Sequence, residues 1–449
     1  MKGSRIRQAG RIGLLAMLVP LAVASAAQVD LKWNSRTGDP AHVPQAAVSA
    51  GVIAKPTMPA SPTIDVRGFE AMAAQLVAGG RIPGLAVAIV QNGRVLSARG
   101  YGVTDARGGD AVDAHTVFRL ASLSKSFAGA VTGILVNDGV LRWDSKLVDY
   151  VPDFHLSQPA AAQQVTVADL LSHRVGLTRN AFDRDLEGDA DFHTLTQKLS
   201  TAPMACAPGQ CYAYQNVAFS LIGDIVFATT GQFYSETVAR RIFKPLGMHD
   251  ASYGLEGLEA SGRWARPHIR GGGGWVPLMP KPNYYRVAPA AGVNASISDM
   301  AQWLIAQTGH RPDVLPAPLL ATLHHSLIST PSEMRGSGWR RTRLSSAGYA
   351  LGWRAMNYAG HDIAFHGGAV QGYRGAMALL PDKDLGIAIL WNSESALPSG
   401  LLPTILDAAL GLSGGQWLDD NITLPATQYV DHDDTPPGAD ASAASAAPR

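Results

Sequence analysis

Two strand pairs sit at opposite ends of the chain's patterned region. One runs from Gly84 to Val103 and turns at Asn92-Gly93; the other comprises Gly375 to Leu380 and Leu385 to Trp391, joined by the polar turn Asp382-Lys383-Asp384. Alternating apolar runs around an Asn-Gly dipeptide are a strong hairpin signal. An amphipathic helix from about Ile64 to Gly79 precedes the first pair, and an apolar one from about Pro398 to Leu410 follows the second. A sheet built from both ends must close the chain on itself and leave the middle as a separate layer. From about 119 to 308 that middle is rich in helical runs, such as Val165 to Leu171 and Asn216 to Thr230, divided by Gly and Pro. The pattern predicts an α/β protein, with an antiparallel sheet flanked by helices plus a mostly helical subdomain.

With 449 residues, 46% hydrophobic and 16% charged, the chain can bury a large core and belongs to no disordered or fibrous class. Lys2, Arg5, Arg7 and Arg11 precede an apolar stretch from Ile12 to Val23, and Ala24-Ser25-Ala26 offers a small-x-small cleavage site. Residues 1–26 therefore read as a secretion signal, the alternative being a retained anchor, although the stretch is short for a bilayer. Periplasmic or secreted localisation is expected, with no integral membrane anchor. Loss of the leader removes four basic and no acidic residues and takes the formal charge from +1 to −3, which argues against a nucleic-acid partner. Residues 27–63 read as a disordered linker and 415–449 as a flexible tail, leaving 64–414 as the catalytic domain.

The chemistry centres on Ser122 and Lys125 in the run Phe118-Arg-Leu-Ala-Ser-Leu-Ser-Lys125; Lys125 is the only lysine with a serine three positions before it. If a helix opens at Ser122, residues three apart share a face and the amine lies beside the hydroxyl. A serine becomes a nucleophile when a neighbour takes its proton, and a lysine does so only when burial or positive charge lowers its pKa. Two further patterns follow: Tyr214-Gln215-Asn216, the only Tyr-x-Asn in the chain, and His366-Gly367-Gly368, ahead of the last strands. Cys206 and Cys211 lie on the segment leading to Tyr214; in an oxidising compartment they are expected to close a small loop, the alternative being two free thiols. They do not read as a zinc site, since no paired histidines lie nearby. No metal or cofactor is expected.

In order and spacing these three patterns resemble the serine β-lactamase and penicillin-binding-protein superfamily, in the branch holding class C β-lactamases, D-alanyl-D-alanine carboxypeptidases, D-aminopeptidases and related esterases. Leu170-Leu-Ser-His-Arg-Val-Gly-Leu177, Pro208-Gly209, Lys244-Pro-Leu-Gly-Met248, Ala291-Gly292 and Leu351-Gly-Trp353 look like further landmarks, so the likeness covers roughly Ile64 to Leu412. It implies a site in the groove between the subdomains. Ser122 would form an acyl-enzyme, Lys125 and Tyr214 would share the proton, and Asn216 would orient Lys125 or hold a substrate amide. The amides of Ser122 and Ala369 would bind the oxyanion, and Gly367 and Gly368 would let substrate approach the strand.

His366 departs from the lysine usual among these β-lactamases. An imidazolium there is expected either to bind a substrate carboxylate, with a pH dependence through neutrality, or to be a neutral ring bonded to Tyr214. Gly367 lacks the hydroxyl that commonly contacts that carboxylate, so its recognition rests on whether Arg374 reaches the pocket. His173 reads as fixing a loop, and Gly271 to Gly274 as a flexible linker. The expected substrate is a small molecule or peptide: a β-lactam or D-alanyl cell-wall peptide first, then an ester or D-amino-acid amide on the same scaffold. A protein that acylates once and stays blocked, as a penicillin-binding sensor would, is the remaining class.

Overall fold

The computed structural model describes residues 64 and 66–418, apart from 337 and 414. The leader, the 27–63 linker and nearly all of the tail lie outside the described residues.

Helix α1 (Val66–Ala78) buries Phe69, Ala73 and Leu76, one face at helical spacing. Strands β1 (Gly84–Gln91) and β2 (Arg94–Gly102) form the first hairpin around Asn92-Gly93. β1 is buried at every position, so its near-continuous apolar sequence is what two covered faces demand. The chain then contributes β3 (Val117–Arg119), the largely buried helix α2 (Ser124–Asn137), and short helices through 246. Next come β4 (Ser252–Tyr253), the hairpin β5 (His268–Gly271) and β6 (Gly274–Pro277), and β7 (Val293–Ser296). Gly271 to Gly274, expected as a linker, is therefore the turn of a hairpin, with Arg270 paired to Trp275.

Six strands complete the large sheet: β8 (Ile328–Ser329), β9 (Leu344–Tyr349), β10 (Arg354–Tyr358), β11 (His361–Val370), β12 (Tyr373–Leu380) and β13 (Leu385–Trp391), the last lying third from the β2 edge. The order is β2-β1-β13-β12-β11-β10-β9-β8, all antiparallel. β1 thus pairs with β13, Ala88 opposite Ala388, and the two ends of the patterned region share one sheet. The 401–410 helix and α1 cover the outer face over an apolar cluster that includes Ile387, Ile389 and Phe365. The inner face meets the helical layer, where α2 lies buried along nearly its whole length.

The middle stretch also holds the three-stranded sheet β3-β7-β4, and its last helix, Ile297–Ile305, packs on β1, β2 and β13 while Trp303 stacks on Phe127 of α2. Among the described residues no single helix is long and apolar enough to cross a membrane; one pair, Val217–Thr230 with Tyr234–Leu246, meets that test jointly but is bent by 77°.

Candidate active site

β3 delivers the chain to Leu120, after which Ala121 takes φ +48°, in the left-handed region that costs a residue with a Cβ of order 1–3 kcal/mol. Leu120 is held by its N–H to Val293 O (2.9 Å), and a short 3-10 turn, Ala121–Leu123, leads into α2. Ser122 sits in that turn, 8% exposed, with its hydroxyl toward the interior groups that follow. The strained residue before the serine is a feature that the motif spacing did not signal.

One turn on, Lys125 is fully buried. Its Nζ donates to Asn216 Oδ1 (2.7 Å), Ala290 O (3.2 Å) and Ser122 Oγ (3.3 Å). It also lies 4.6 Å from the Tyr214 ring centre and 5.3 Å from that of Phe219. Burying an amine costs several kcal/mol unless acceptors surround it, and three acceptors on one nitrogen suit an ammonium. Tyr214, itself buried, donates Oη–H to Ser122 Oγ at 2.9 Å. The amine and the phenol, 89 positions apart in the numbering from 125 to 214, therefore meet on one hydroxyl. Packing holds the lysine in place: Gly352 crosses the carbonyl of Lys125 at φ +82°, where a Cβ would stand 2.2 Å from that oxygen.

Asn216 reaches two ways. While Oδ1 accepts from Lys125, Nδ2 donates to Asp183 Oδ2 at 2.8 Å. Asp183 is 9% exposed, and its buried Oδ1 has no hydrogen-bond partner among the described residues. Burial pushes its carboxyl up to about 6, against the downward pull of Asn216 and Lys125.

The sheet approaches from the other side through β11. A Cβ on Gly368 would come within 2.6 Å of Leu120 O and 3.1 Å of Ser122 N, so only a glycine lets this strand lie against the Ser122 turn. Gly368 shares the inner face with His366, while Ala369 pairs with Arg374 and alternates to the outer side. Arg374 consequently belongs to the face turned from the helical layer.

His366 corrects both readings of it. The ring is fully buried, and burial first, then the cations Arg354 and Lys125, push its pKa well below the ordinary value, so it is a neutral imidazole and not a cation offered to substrate. Its partner is Tyr349 rather than Tyr214: Tyr349 Oη lies 2.9 Å from His366 Nε2. Hydrogen-bond partners assign the protons along this chain. The Gln215 N–H points at His173 Nδ1 (3.2 Å), so His173 carries its proton on Nε2 and donates to Tyr349 Oη (3.2 Å). Tyr349 donates in turn to His366 Nε2, and His366 Nδ1–H meets Gly367 O (2.6 Å). Burial keeps all three neutral: both histidines are shifted well down and Tyr349 well up. The His173 ring also lies 4.3 Å from that of Tyr214, so the loop-fixing histidine braces the tyrosine.

Arg354 is buried, 5.6 Å from the Tyr214 ring centre and 3.6 Å from Glu333, which also binds Arg340 at 2.7 Å. Cys206 and Cys211 form a disulfide. The segment beyond it is tied back by Ala213 N–H to His173 O (2.9 Å), which steadies the approach to Tyr214. Among the described residues no three or more His, Cys, Asp or Glu side chains gather as a metal site.

Asp183, Tyr349, Arg354 and Ala290 escaped the sequence reading. Tyr349 and Arg354 flank the landmark Leu351-Gly-Trp353, and Ala290 precedes Ala291-Gly292, so widening those landmarks would have reached them. Phe182-Asp183-Arg184 carries no such signal.

A serine gripped by a buried lysine and a tyrosine, where a helical layer meets an antiparallel sheet, defines the class of β-lactamase-like hydrolase folds. The family comparison agrees: the Beta-lactamase family model matches residues 69–411, and the chain belongs to that family. It is 28% identical over 336 residues to an unguisins hydrolase of Aspergillus campestris, covering 72% of this chain and 61% of the relative. It is 25% identical over 319 residues to Protein flp of Staphylococcus aureus, covering 70% and 61%. The chain thus spans about three fifths of the length of the curated relatives it matches. In structure it resembles the octameric penicillin-binding protein homologue from Pyrococcus abyssi, with a TM-score of 0.69, 24% identity and 78% of each chain covered.

Proposed function

We propose that this protein is a serine hydrolase that opens amide or ester bonds through an acyl-enzyme on Ser122. The observation that carries the reading is the convergence of Lys125 Nζ and Tyr214 Oη on one serine oxygen, at 3.3 and 2.9 Å. The Lys125 ammonium favours the Tyr214 phenolate, which takes the Ser122 proton as Oγ attacks the carbonyl carbon. The same proton then passes to the leaving nitrogen or oxygen as the tetrahedral intermediate collapses, and water attacks the resulting ester by the reverse route. The amides of Ser122 and Ala369 are the proposed oxyanion donors, on the two elements that Gly368 allows to touch.

Substrate preference follows from what the strand lacks. Gly367 offers no hydroxyl, His366 no charge, and Arg374 lies on the other face, so the site favours neutral esters and amides over substrates held by a free carboxylate. Among the relatives, one is named for hydrolysing unguisins, which fits hydrolysis without naming this chain's substrate. Export by the 1–26 leader to the periplasm or beyond is part of the proposal, supported by the leader's composition and by a disulfide of the kind that persists in oxidising compartments.

The test is incubation of the mature chain with p-nitrophenyl esters, a chromogenic β-lactam, D-amino-acid amides and D-alanyl dipeptides, followed by intact mass. Turnover of a neutral ester, with the acyl mass mapped to the Ser122 peptide, is expected. Undiminished turnover by Ser122→Ala would overturn the reading, and a persistent adduct without turnover from every donor would favour a blocked sensor.

A further inference from the structure

An asparagine facing a cation has a problem of direction. Its amide ends are alike in shape, yet one is an acceptor and the other carries two donors. Asn216 must present Oδ1 to Lys125, since the reverse would aim N–H groups at an ammonium. What chooses is the partner at the far end, and an ionised carboxylate, which only accepts, admits a single answer. Asp183 Oδ2 stands there at 2.8 Å.

We propose that Asp183 is a positioning residue for the proposed proton-transfer pair: its carboxylate locks the Asn216 amide with Oδ1 toward Lys125 and places a negative charge behind that amide which holds Lys125 as an ammonium. The inference rests on the acyl-transfer reading and names a residue that acts only through Asn216.

The condition of this carboxylate is what a purely structural role would avoid. A buried aspartate kept for stability gathers donors on both oxygens, whereas Asp183 has one amide on Oδ2 and, among the described residues, no donor on the buried Oδ1. The charged groups around it are Lys125 and Arg179, which favour its ionised form, and Glu187, which opposes it. Tyr284, on the neighbouring 283–286 turn, donates Oη–H to Glu187 Oε1 at 3.1 Å and so stays engaged beside the pair. With its carboxyl raised to about 6, Asp183 is ionised at neutral pH and protonated in mild acid, when it no longer commands the amide or balances the lysine.

The experiment compares wild type, Asp183→Asn and Asp183→Leu in the mature full-length chain. It measures the acylation rate with p-nitrophenyl acetate from pH 4.5 to 10, and thermal unfolding at pH 8. Wild type is expected to lose activity through an acid limb near pH 6. Asp183→Asn, similar in shape but uncharged, should fall about 10-fold or more at neutral pH. It should also lose that limb and bring its alkaline limb to lower pH, because Lys125 surrenders its proton more easily. Asp183→Leu, with no acceptor, should be slower still. At pH 8 the Asp183→Asn protein should unfold no earlier than wild type. A wild-type rate and profile in Asp183→Asn would overturn the inference. So would a slower enzyme whose profile is unchanged and whose unfolding temperature falls, since that is mere structural damage. Ser122→Ala, run in parallel, separates the two levels: if it still turns over, the acyl-transfer reading fails, and if it is dead while Asp183→Asn is normal, only the role of Asp183 fails.

Discussion

Two buried aspartates, one on each side of the large sheet, live in opposite conditions. On the outer side Asp407, in the 401–410 helix, is 1% exposed and saturated with donors: Arg343 grips it through Nε (3.0 Å) and Nη2 (2.8 Å), and Tyr358 Oη (2.6 Å), Trp417 Nε1 (2.8 Å) and Gly415 N–H (3.3 Å) add to the grip. Burial pushes its carboxyl up, but Arg343, Tyr358 and Trp417 outweigh that and hold it below the usual range. On the inner side Asp183 keeps a single amide partner, and burial wins. The outer region spends its polar groups on holding a helix to a sheet. The inner region leaves the Asp183 carboxylate with fewer donors than its outer counterpart, which is the condition chemistry needs and stability resists.

The contrast breaks most visibly at the serine. Ser122→Ala is expected to lower acylation by about 10³-fold or more, with its denaturation midpoint close to wild type, because one oxygen in a turn carries little of the fold. Stopped-flow ester assays beside urea melts check this, and a large loss of stability would erase the division between the regions. The opposite signature belongs to Asp407→Ala. Stranding Arg343 and Tyr358 should cost about 3–5 kcal/mol, read from the urea midpoint, while the activity of each folded molecule is retained. Tyr349→Phe lies between the two: it removes the hydroxyl that His173 donates to and that His366 accepts from, at about 1–3 kcal/mol. A slower acylation rate should accompany that loss, since His173 braces the Tyr214 ring; unchanged stability would show that the neutral chain is not formed.

The smallest expected effects are in pH. His173 and His366 are shifted down, so the stability their neutrality provides is complete above the unfolded value near 6.5 and is lost as pH falls below it, by up to about 1.4 kcal/mol per unit for each ring. Asp183 has the opposite sign. With its folded value raised to about 6, its contribution is full below about 3.8 and disappears as pH rises through 6. Any stability advantage of Asp183→Asn at pH 8 should therefore hold level down to about pH 6 and shrink on further acidification toward pH 4. Melts across that window decide it, and an advantage constant with pH would show that the Asp183 carboxyl is not raised in the fold. The ester profile itself should carry no inflection from His366.

Much of this was legible along the chain because the signals are local. The Asn92-Gly93 hairpin, the β12–β13 pair and the serine–lysine turn each follow from spacing over a few residues, and Tyr214 and Asn216 stood out as a pattern. His366 was legible as a position and misread as a role: the charge of an imidazole depends on Arg354, Lys125 and the depth of burial, none of them adjacent to it in sequence. Asp183 gave no local signal, because what marks it is the amide of Asn216 and a second oxygen without a donor among the described residues.

By itself, then, the sequence determined the antiparallel sheet drawn from both ends of the patterned region and the identity of the groups that meet at Ser122, since hydrogen-bonding turns and side-chain periodicity are properties of neighbours. Tertiary structure alone decided which of those groups carry charge and which way each amide and imidazole points. Ionisation and hydrogen-bond direction are set by solvent exclusion and by partners brought together through space, and a linear pattern of residues holds neither.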